Sequence, residues 1–372
     1  MKWLEIISNS GICPLLALLP KMGSDCCEGI RALQITPPWQ PGGSRARRWG
    51  ASAATVLLAI LLVGLAVRFG DLRWHDVARP VREHGAILFL VCVVSIGGQS
   101  IVGALKWRLL QRHFANGESG AFPLPMLVFY SALTALVGQV VPTFLASGAI
   151  RGAVTRLHLE GSFLQGASVT VYDQLFDVAV LVLCAAGCLA LFLLGVPPAM
   201  AIACVALALA FTVLISPWMF RSIPPLSAAL RFIPAGAPGA GRVRQTLQFA
   251  RDKGLDAPET TTRLLSLSIV RYLFIGLRSV AAVLLIGTGL SVTSAVWGFA
   301  VVQGSALAAL TPGNLGITEW GWAAVAELLD GPAGPMILAI LVLRIVNIPA
   351  TLAVMLLSAF GLFGRSATAD RR

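Results

Sequence analysis

Long apolar runs alternate with short polar segments along this chain, and the pattern predicts helices that cross a membrane. A bilayer crossing needs about 20 mostly apolar residues. Six runs approach or exceed that length and are predicted as full spans: residues 51–67, 85–105, 166–194, 198–218, 264–287 and 335–360. The spans are joined by segments rich in arginine, proline and glycine. The sequence therefore predicts an all-α, polytopic membrane protein.

Two further apolar regions, residues 122–156 and 292–329, are interrupted by residues that an unbroken membrane helix would avoid. The first region contains Pro142, and the second contains Pro312, Gly313 and Gly316. Proline removes a backbone donor and glycine weakens a helix. In lipid, interrupted backbone persists only where protein or water satisfies its polar groups. We therefore predict two broken helical hairpins buried within the protein.

The second break should start a new half-helix, with Thr318 as its N-cap. The first amides of a helix lack partners inside that helix, and such an end attracts anions. This prediction makes the backbone after Pro312 and Gly313 a candidate anion site.

The composition excludes an ordinary soluble domain and gives the basic residues a role in orientation. The 372 residues are 57% hydrophobic and only 12% charged, with 28 Lys and Arg against 17 Asp and Glu. Most of the surplus Lys and Arg residues lie between apolar runs. This position indicates loops on the cytoplasmic side of a membrane rather than a nucleic-acid-binding surface. The seven cysteines and four histidines form no ligand spacing, so neither a metal nor a cofactor is expected.

The basic loop at residues 219–263 fixes the predicted topology, because the positive-inside rule places it in the cytoplasm. The loop is cytoplasmic if residues 122–156 enter and leave the membrane on the cytoplasmic side and residues 292–329 enter it from the other side. Two hairpins of opposite orientation are typical of an inverted-repeat transporter. We predict a disordered cytoplasmic leader at 1–49, a membrane domain at 50–362 and a cytoplasmic tail at 363–372.

Charged side chains within apolar spans are costly and usually face the protein interior, where they pair. We hypothesise that three arginines and the backbone of the second break bind a lipid phosphate, since a guanidinium fork suits phosphate oxygens. These binding candidates are Arg151, Arg271, Arg278, Pro312, Gly313 and Gly316. Charge balance or gating is assigned to Asp173, Asp177, Glu319 and Arg344. The alternative is structural, with buried ion pairs that fix helix register.

Two other polar segments are predicted to lie at the membrane surface. Residues 68–84 mix arginines with acids, which favours an external amphipathic segment. Lys106, Trp107 and Arg108 follow the second span and resemble a snorkelling and aromatic anchor at the inner face.

The ordered motifs resemble those of the flippase-like family, also called the lysylphosphatidylglycerol synthase transmembrane region. The resemblance covers roughly residues 50–362. Its marks are Lys106-Trp107-Arg108, Pro142 through Arg151, SVTVYDQLFDVAVLVL at 168–183, and Pro312-Gly313-Asn314-Leu315-Gly316 with Glu319. Ser147-Gly148-Ala149 lacks the acid of the family's Gly-Gly-Asp, and Gln174 stands where arginine is common.

The resemblance implies translocation of a lipid or lipid-linked polar head between leaflets, with a membrane lipid as partner. A lipid-modifying enzyme encoded nearby is a further expected partner. No aminoacyl transfer is expected, because the chain ends shortly after the last span. We expect a multi-pass protein of the plasma (inner) membrane with both termini in the cytoplasm, and no enzymatic activity.

Two alternative functions remain open from the sequence. An ion-coupled transporter of a small anion would also use broken helices with arginines. A membrane-embedded transferase acting on a polyprenyl phosphate would need acid–base or metal-binding carboxylates, and the chain has no DxD or HxxxE cluster in a suitable place.

Overall fold

The computed structural model is almost entirely helical in the residues that it describes, and none of these residues forms a strand. Residues 1–59 lie outside the described part. The described residues are 60–65, 67–70, 74–112, 122–139, 141, 143–158, 163–222, 248, 251–252, 255, 257–305 and 311–369. The predicted leader, most of the basic loop, Pro142 and residues 370–372 of the tail fall outside them.

Nine helices and one 3₁₀ turn make up the described part beyond residue 73. They are α1 (Trp74–Gln111), α2 (Leu124–Val137), α3 (Thr143–His158), α4 (Phe163–Leu193), α5 (Pro198–Ser222), α6 (Pro258–Leu285), α7 (Val292–Ser305), the turn Pro312–Asn314, α8 (Ile317–Leu328) and α9 (Ala333–Ala369). A short apolar helix, Ile60–Phe69, precedes them.

Five of these helices, α1, α4, α5, α6 and α9, are long and apolar enough to cross a membrane. They correspond to the predicted spans from residue 85 onward. The predicted first span, residues 51–67, lies mostly outside the described residues. The chain is therefore an all-α polytopic membrane protein.

The segment predicted as a separate external element, residues 68–84, is instead largely the start of α1. From Trp74 it continues without interruption into the apolar part of that helix. At 1.5 Å per residue, the 38 residues of α1 are about 57 Å long. This length exceeds the hydrocarbon core of about 30 Å, so one or both ends of α1 extend beyond it.

Both regions predicted to be broken form pairs of short helices. The first pair is α2 and α3, with 14 and 16 residues, and the second is α7 and α8, with 14 and 12 residues. None of these helices would cross 30 Å alone, because 16 residues span only about 24 Å. The opposite orientation of the two pairs, and with it the inverted repeat, stays a prediction.

Small residues let the long helices pack closely. A side-chain carbon at Gly98 of α1 would overlap the ring of Phe274 on α6, and one at Gly276 would lie 2.8 Å from the ring of Phe299 on α7. Ser95 also donates a hydrogen bond to the carbonyl of Phe274. Close helix contact through small residues is usual in membranes. This packing holds α6 in the interior, where its arginines meet other helices.

Candidate functional site

The second break is a tight turn with three residues in the left-handed region. Gly313, Asn314 and Gly316 have φ values of 57°, 55° and 82°. Glycine adopts such values without steric cost. A Cβ at Gly316 would also overlap Leu62 of the helix Ile60–Phe69. Glycine at 313 and 316 therefore suits the turn, and Gly316 also leaves room for the helix that packs on it.

Arg344 of α9 holds this turn together from the opposite side. Its Nη1 donates to the carbonyl of Gly313 at 2.9 Å and its Nη2 to that of Asn314 at 3.0 Å. Its Nε donates to Glu319 Oε1 at 2.5 Å. One guanidinium thus pairs with two free carbonyls and one carboxylate, which satisfies backbone that the break leaves open.

The predicted N-cap of the half-helix was wrong. Helix α8 is capped at Gly316, whose N–H donates to Glu319 Oε2 at 2.8 Å. Thr318 instead donates to the carbonyl of Asn314 at 3.3 Å. Glu319 is fully buried, so the protein's own carboxylate occupies the helix end that the sequence assigned to a lipid phosphate.

A second charge cluster lies between α1, α4 and α6, and its centre is Lys106. The Lys106 ammonium pairs with Asp173, with Asp177 Oδ1 at 2.7 Å, and with Ser268 Oγ at 2.9 Å. The side chains of Lys106 and Asp173 are both 0% exposed. The prediction that Lys106 and Trp107 form a surface anchor was therefore wrong, since Trp107 is buried as well.

Two arginines complete this cluster. Arg151 of α3 pairs with Asp173 Oδ2 at 2.8 Å and lies over the Trp107 ring, with 5.4 Å from Cζ to the ring centroid. Arg271 of α6 pairs with Asp177 Oδ2 at 2.5 Å. Of the ion pairs between helices that the charged residues in the spans permit, Arg271 thus pairs with Asp177, and Arg344 pairs with Glu319. Three cations here face two carboxylates, so one positive charge remains uncompensated within the cluster.

Arg278, the third predicted phosphate ligand, stands apart from both clusters. It lies two helical turns beyond Arg271 on α6 and on nearly the same face of the helix. It is half-buried, and no hydrogen bond or ion pair engages it among the described residues. Its assignment as a phosphate ligand stays a prediction.

The two breaks meet in the interior. A Cβ at Gly313 would lie 2.5 Å from the carbonyl oxygen of Gln139, which follows α2. Thr143 and Phe144, the first residues of α3, line a cavity of about 440 Å³ together with Gly313 and Asn314. The interrupted regions therefore border one shared space.

This cavity lies near the middle of α4 and α6. At 1.5 Å per residue, Asp177 in its wall is about 21 Å from the start of α4 and about 24 Å from its end. The remaining lining residues come from α4, α6 and α7: Val171, Gln174, Leu175, Asp177, Val178, Leu181, Ser268, Arg271, Tyr272, Ile275 and Gln303. Arg151 and Arg278 are not among them.

Several polar groups in the cavity wall are unpaired. The side-chain amides of Gln174, Gln303 and Asn314 have no hydrogen-bond partner among the described residues. Arg271 Nε is buried and also lacks one. The three amides line the cavity and offer donors and acceptors, so this wall is suited to a ligand with hydrogen-bonding oxygens. No metal-binding group of three His, Cys, Asp or Glu side chains occurs in the described part.

Sequence reasoning missed Lys106, Gln174 and Gln303 as site residues. A lysine at the end of an apolar run is usually a surface anchor, and a glutamine in a span carries no distinctive signal. The sequence feature that could have indicated Lys106 was the pair Asp173 and Asp177. These carboxylates lie one helical turn apart within a span and need cations from neighbouring helices.

An all-helical fold with long apolar helices and two interrupted helix pairs that share a cavity defines a polytopic membrane protein. The family profile described as "Lysylphosphatidylglycerol synthase TM region" matches residues 52–354. The chain belongs to this family, which places it among lipid-related membrane proteins of the flippase-like kind. No curated protein and no solved structure gave a match.

Proposed function

We propose that this protein moves lipids with a phosphate-bearing polar head between the two leaflets of its membrane. The observation that carries the proposal is the cavity shared by the two breaks, which the guanidinium of Arg271 lines near the middle of α6. A head group that crosses about 30 Å of hydrocarbon needs a site with polar groups along its path, because an uncompensated charge in lipid is costly.

The charge of the site supports a phosphate. The cluster of Lys106, Arg151 and Arg271 retains one positive charge after pairing with Asp173 and Asp177. A phosphodiester carries one negative charge and accepts hydrogen bonds from a guanidinium fork. Arg271 is the cation of the cluster that lines the cavity, and its ion pair with Asp177 uses Nη1.

The apolar wall supports a lipid rather than a small soluble anion. Phe144 and Val178 line the cavity, and they are 48% and 41% exposed on the surface of the protein. The cavity is therefore partly open to its surroundings, and in this proposal its open side faces the acyl chains. A lipid can place its head against Arg271 while its tails stay in the bilayer.

The proposal assigns transport and no covalent chemistry to the chain. It places the protein in the plasma (inner) membrane with both termini in the cytoplasm. It also keeps the expectation that a lipid-modifying enzyme encoded nearby supplies the transported lipid.

Purified protein in vesicles with a fluorescent phospholipid tests the proposal, with quenching of the outer leaflet as the readout. Val178→Trp should obstruct the cavity and slow lipid movement, whereas Val182→Trp should not. Val182 is a matched control because it lies one turn further on α4, is 42% exposed and does not line the cavity. Equal rates in both variants would contradict the proposed path.

Two arginine variants test the chemistry of the path. Arg271→Gln removes a charge-assisted contact worth about 1.5–3 kcal/mol, so lipid movement should slow roughly tenfold or more. Arg278→Ala is expected to abolish movement while the protein remains inserted and folded, as monitored by size-exclusion elution. Movement at the unaltered rate in both variants would remove the arginines from the mechanism.

The same vesicles separate the alternative functions. Uptake of a water-soluble phosphate ester without lipid movement would favour an anion transporter. A covalent change in a supplied polyprenyl phosphate, detected by mass spectrometry, would favour a transferase.

A further inference from the structure

The carboxylates around the cavity are all engaged by the protein's own cations, which limits the head groups that the cavity can accept. Asp177 is the only carboxylate among the lining residues. Its Oδ1 accepts from Lys106 at 2.7 Å and its Oδ2 from Arg271 at 2.5 Å. Neither oxygen remains free of a cationic partner.

The two neighbouring acids, Asp173 and Glu319, are buried and do not line the cavity. Asp173 is fully buried between Lys106 and Arg151. Glu319 is fully buried and engaged by Arg344 and the Gly316 N–H. A ligand ammonium in the cavity would therefore meet no available counter-charge and would lie beside a cluster with a positive charge to spare.

Neutral hydrogen-bonding groups, in contrast, are available on three sides of the cavity. Gln174 comes from α4, Gln303 from α7 and Asn314 from the second break, and their amides have no partner among the described residues. Each amide offers both donors and an acceptor. Together they match hydroxyl or amide groups of an uncharged head.

We propose that the cavity selects lipids whose phosphate is followed by an uncharged, hydroxyl-bearing head, and that it disfavours heads carrying an ammonium. This inference rests on the proposed lipid transport and narrows its substrate class. A glycerol-type head carries a net negative charge. Its phosphate can pair with the remaining positive charge of the cluster, and its hydroxyls can form hydrogen bonds with the amides. An ethanolamine head brings a cation to a site without a free carboxylate.

The test compares fluorescent phosphatidylglycerol with fluorescent phosphatidylethanolamine in vesicles of identical composition. Leaving a charged group without a charged partner is costly, so phosphatidylglycerol should move roughly tenfold faster or more. Equal rates, or faster movement of phosphatidylethanolamine, would overturn the selectivity and leave lipid transport intact. Movement of neither lipid would overturn both proposals.

Gln303→Glu provides a gain-of-function arm. It adds a carboxylate from α7, on a different helix from Asp173 and Asp177, and should shift the rate ratio toward phosphatidylethanolamine. Gln165→Glu is the matched control, because it makes the same change on α4 outside the cavity wall. An unchanged ratio in Gln303→Glu, or the same shift in both variants, would contradict the inference.

A final arm identifies the source of the phosphate. Vesicles that take up labelled glycerol phosphate without moving either lipid would assign the same chemistry to a soluble ligand and overturn the lipid part. Lipid movement that excess glycerol phosphate does not inhibit would support selection of a membrane-bound head.

Discussion

Replacing Arg344 by methionine removes the guanidinium that holds the second break while retaining much of the side-chain volume. Three acceptors lose their donor: the carbonyls of Gly313 and Asn314 and the carboxylate of Glu319. Glu319 is fully buried and keeps only the Gly316 N–H, at 2.8 Å. The variant therefore leaves a charge buried without its counter-ion.

The expected loss of stability follows from the Glu319 carboxylate that is left without its counter-ion. Breaking a buried ion pair by removing one partner costs about 3–5 kcal/mol. Glu319→Gln should cost less, because Arg344 is 18% exposed and keeps two carbonyl acceptors. The double variant should be more stable than Arg344→Met alone, since no carboxylate is then left unpaired. Glu319→Ala is also expected to lower the stability, because the Gly316 N–H and the Arg344 Nε lose their carboxylate acceptor.

The assay is reversible unfolding by SDS in mixed micelles, which gives the free energy of unfolding for each member of the cycle. Arg79 and Glu83 on α1 provide a control pair, with Nε to Oε1 at 3.0 Å and side chains that are 78% and 49% exposed. An exposed pair at this helical spacing is worth about 0.2–0.5 kcal/mol. A coupling energy for Arg344 and Glu319 as small as that of the control pair would refute the reasoning.

Two further predictions concern the buried lysine and the glycines. Lys106→Met should lower the free energy of unfolding by about 1.5–3 kcal/mol, because the charge-assisted contacts of Lys106 are lost while Asp173 keeps Arg151 and Asp177 keeps Arg271; the same SDS titration measures it, and a loss below 1 kcal/mol would contradict a buried role. Gly316→Ala should lower the thermal midpoint, because its backbone is left-handed and its Cβ would overlap Leu62. Gly148→Ala, with open space around its Cβ within α3, should leave that midpoint unchanged or raise it; equal midpoints in the two variants would contradict this.

The sequence predicted the spans well because crossing a bilayer imposes a local requirement on length and hydropathy. The run at 166–194 was placed within three residues of α4, and the run at 198–218 starts with α5. The second break was also predictable, since Pro312, Gly313 and Gly316 act on their own backbone. Boundaries failed where polar residues continue a helix beyond the membrane, as at Trp74 in α1.

The candidate site was predicted only in part. Its charged residues were recognised because a charge in lipid is costly, but the sequence did not show which residues they pair with. Asp177 and Arg271 were expected to pair across helices, and they do. Arg151 was expected at the ligand, yet it lies behind the cavity against Asp173. Lys106 was assigned to the surface and is instead buried between two aspartates.

The sequence by itself determined that this protein is a polytopic helical membrane protein with interrupted hairpins, because hydropathy and backbone propensity depend on neighbouring residues. Only the tertiary structure decided which charges neutralise one another and which polar groups remain for a ligand. Lys106 and Asp177 are 71 residues apart in the chain, and Arg271 and Asp177 are 94 apart. Such pairs form through helix packing, and no local pattern records which faces of the helices meet.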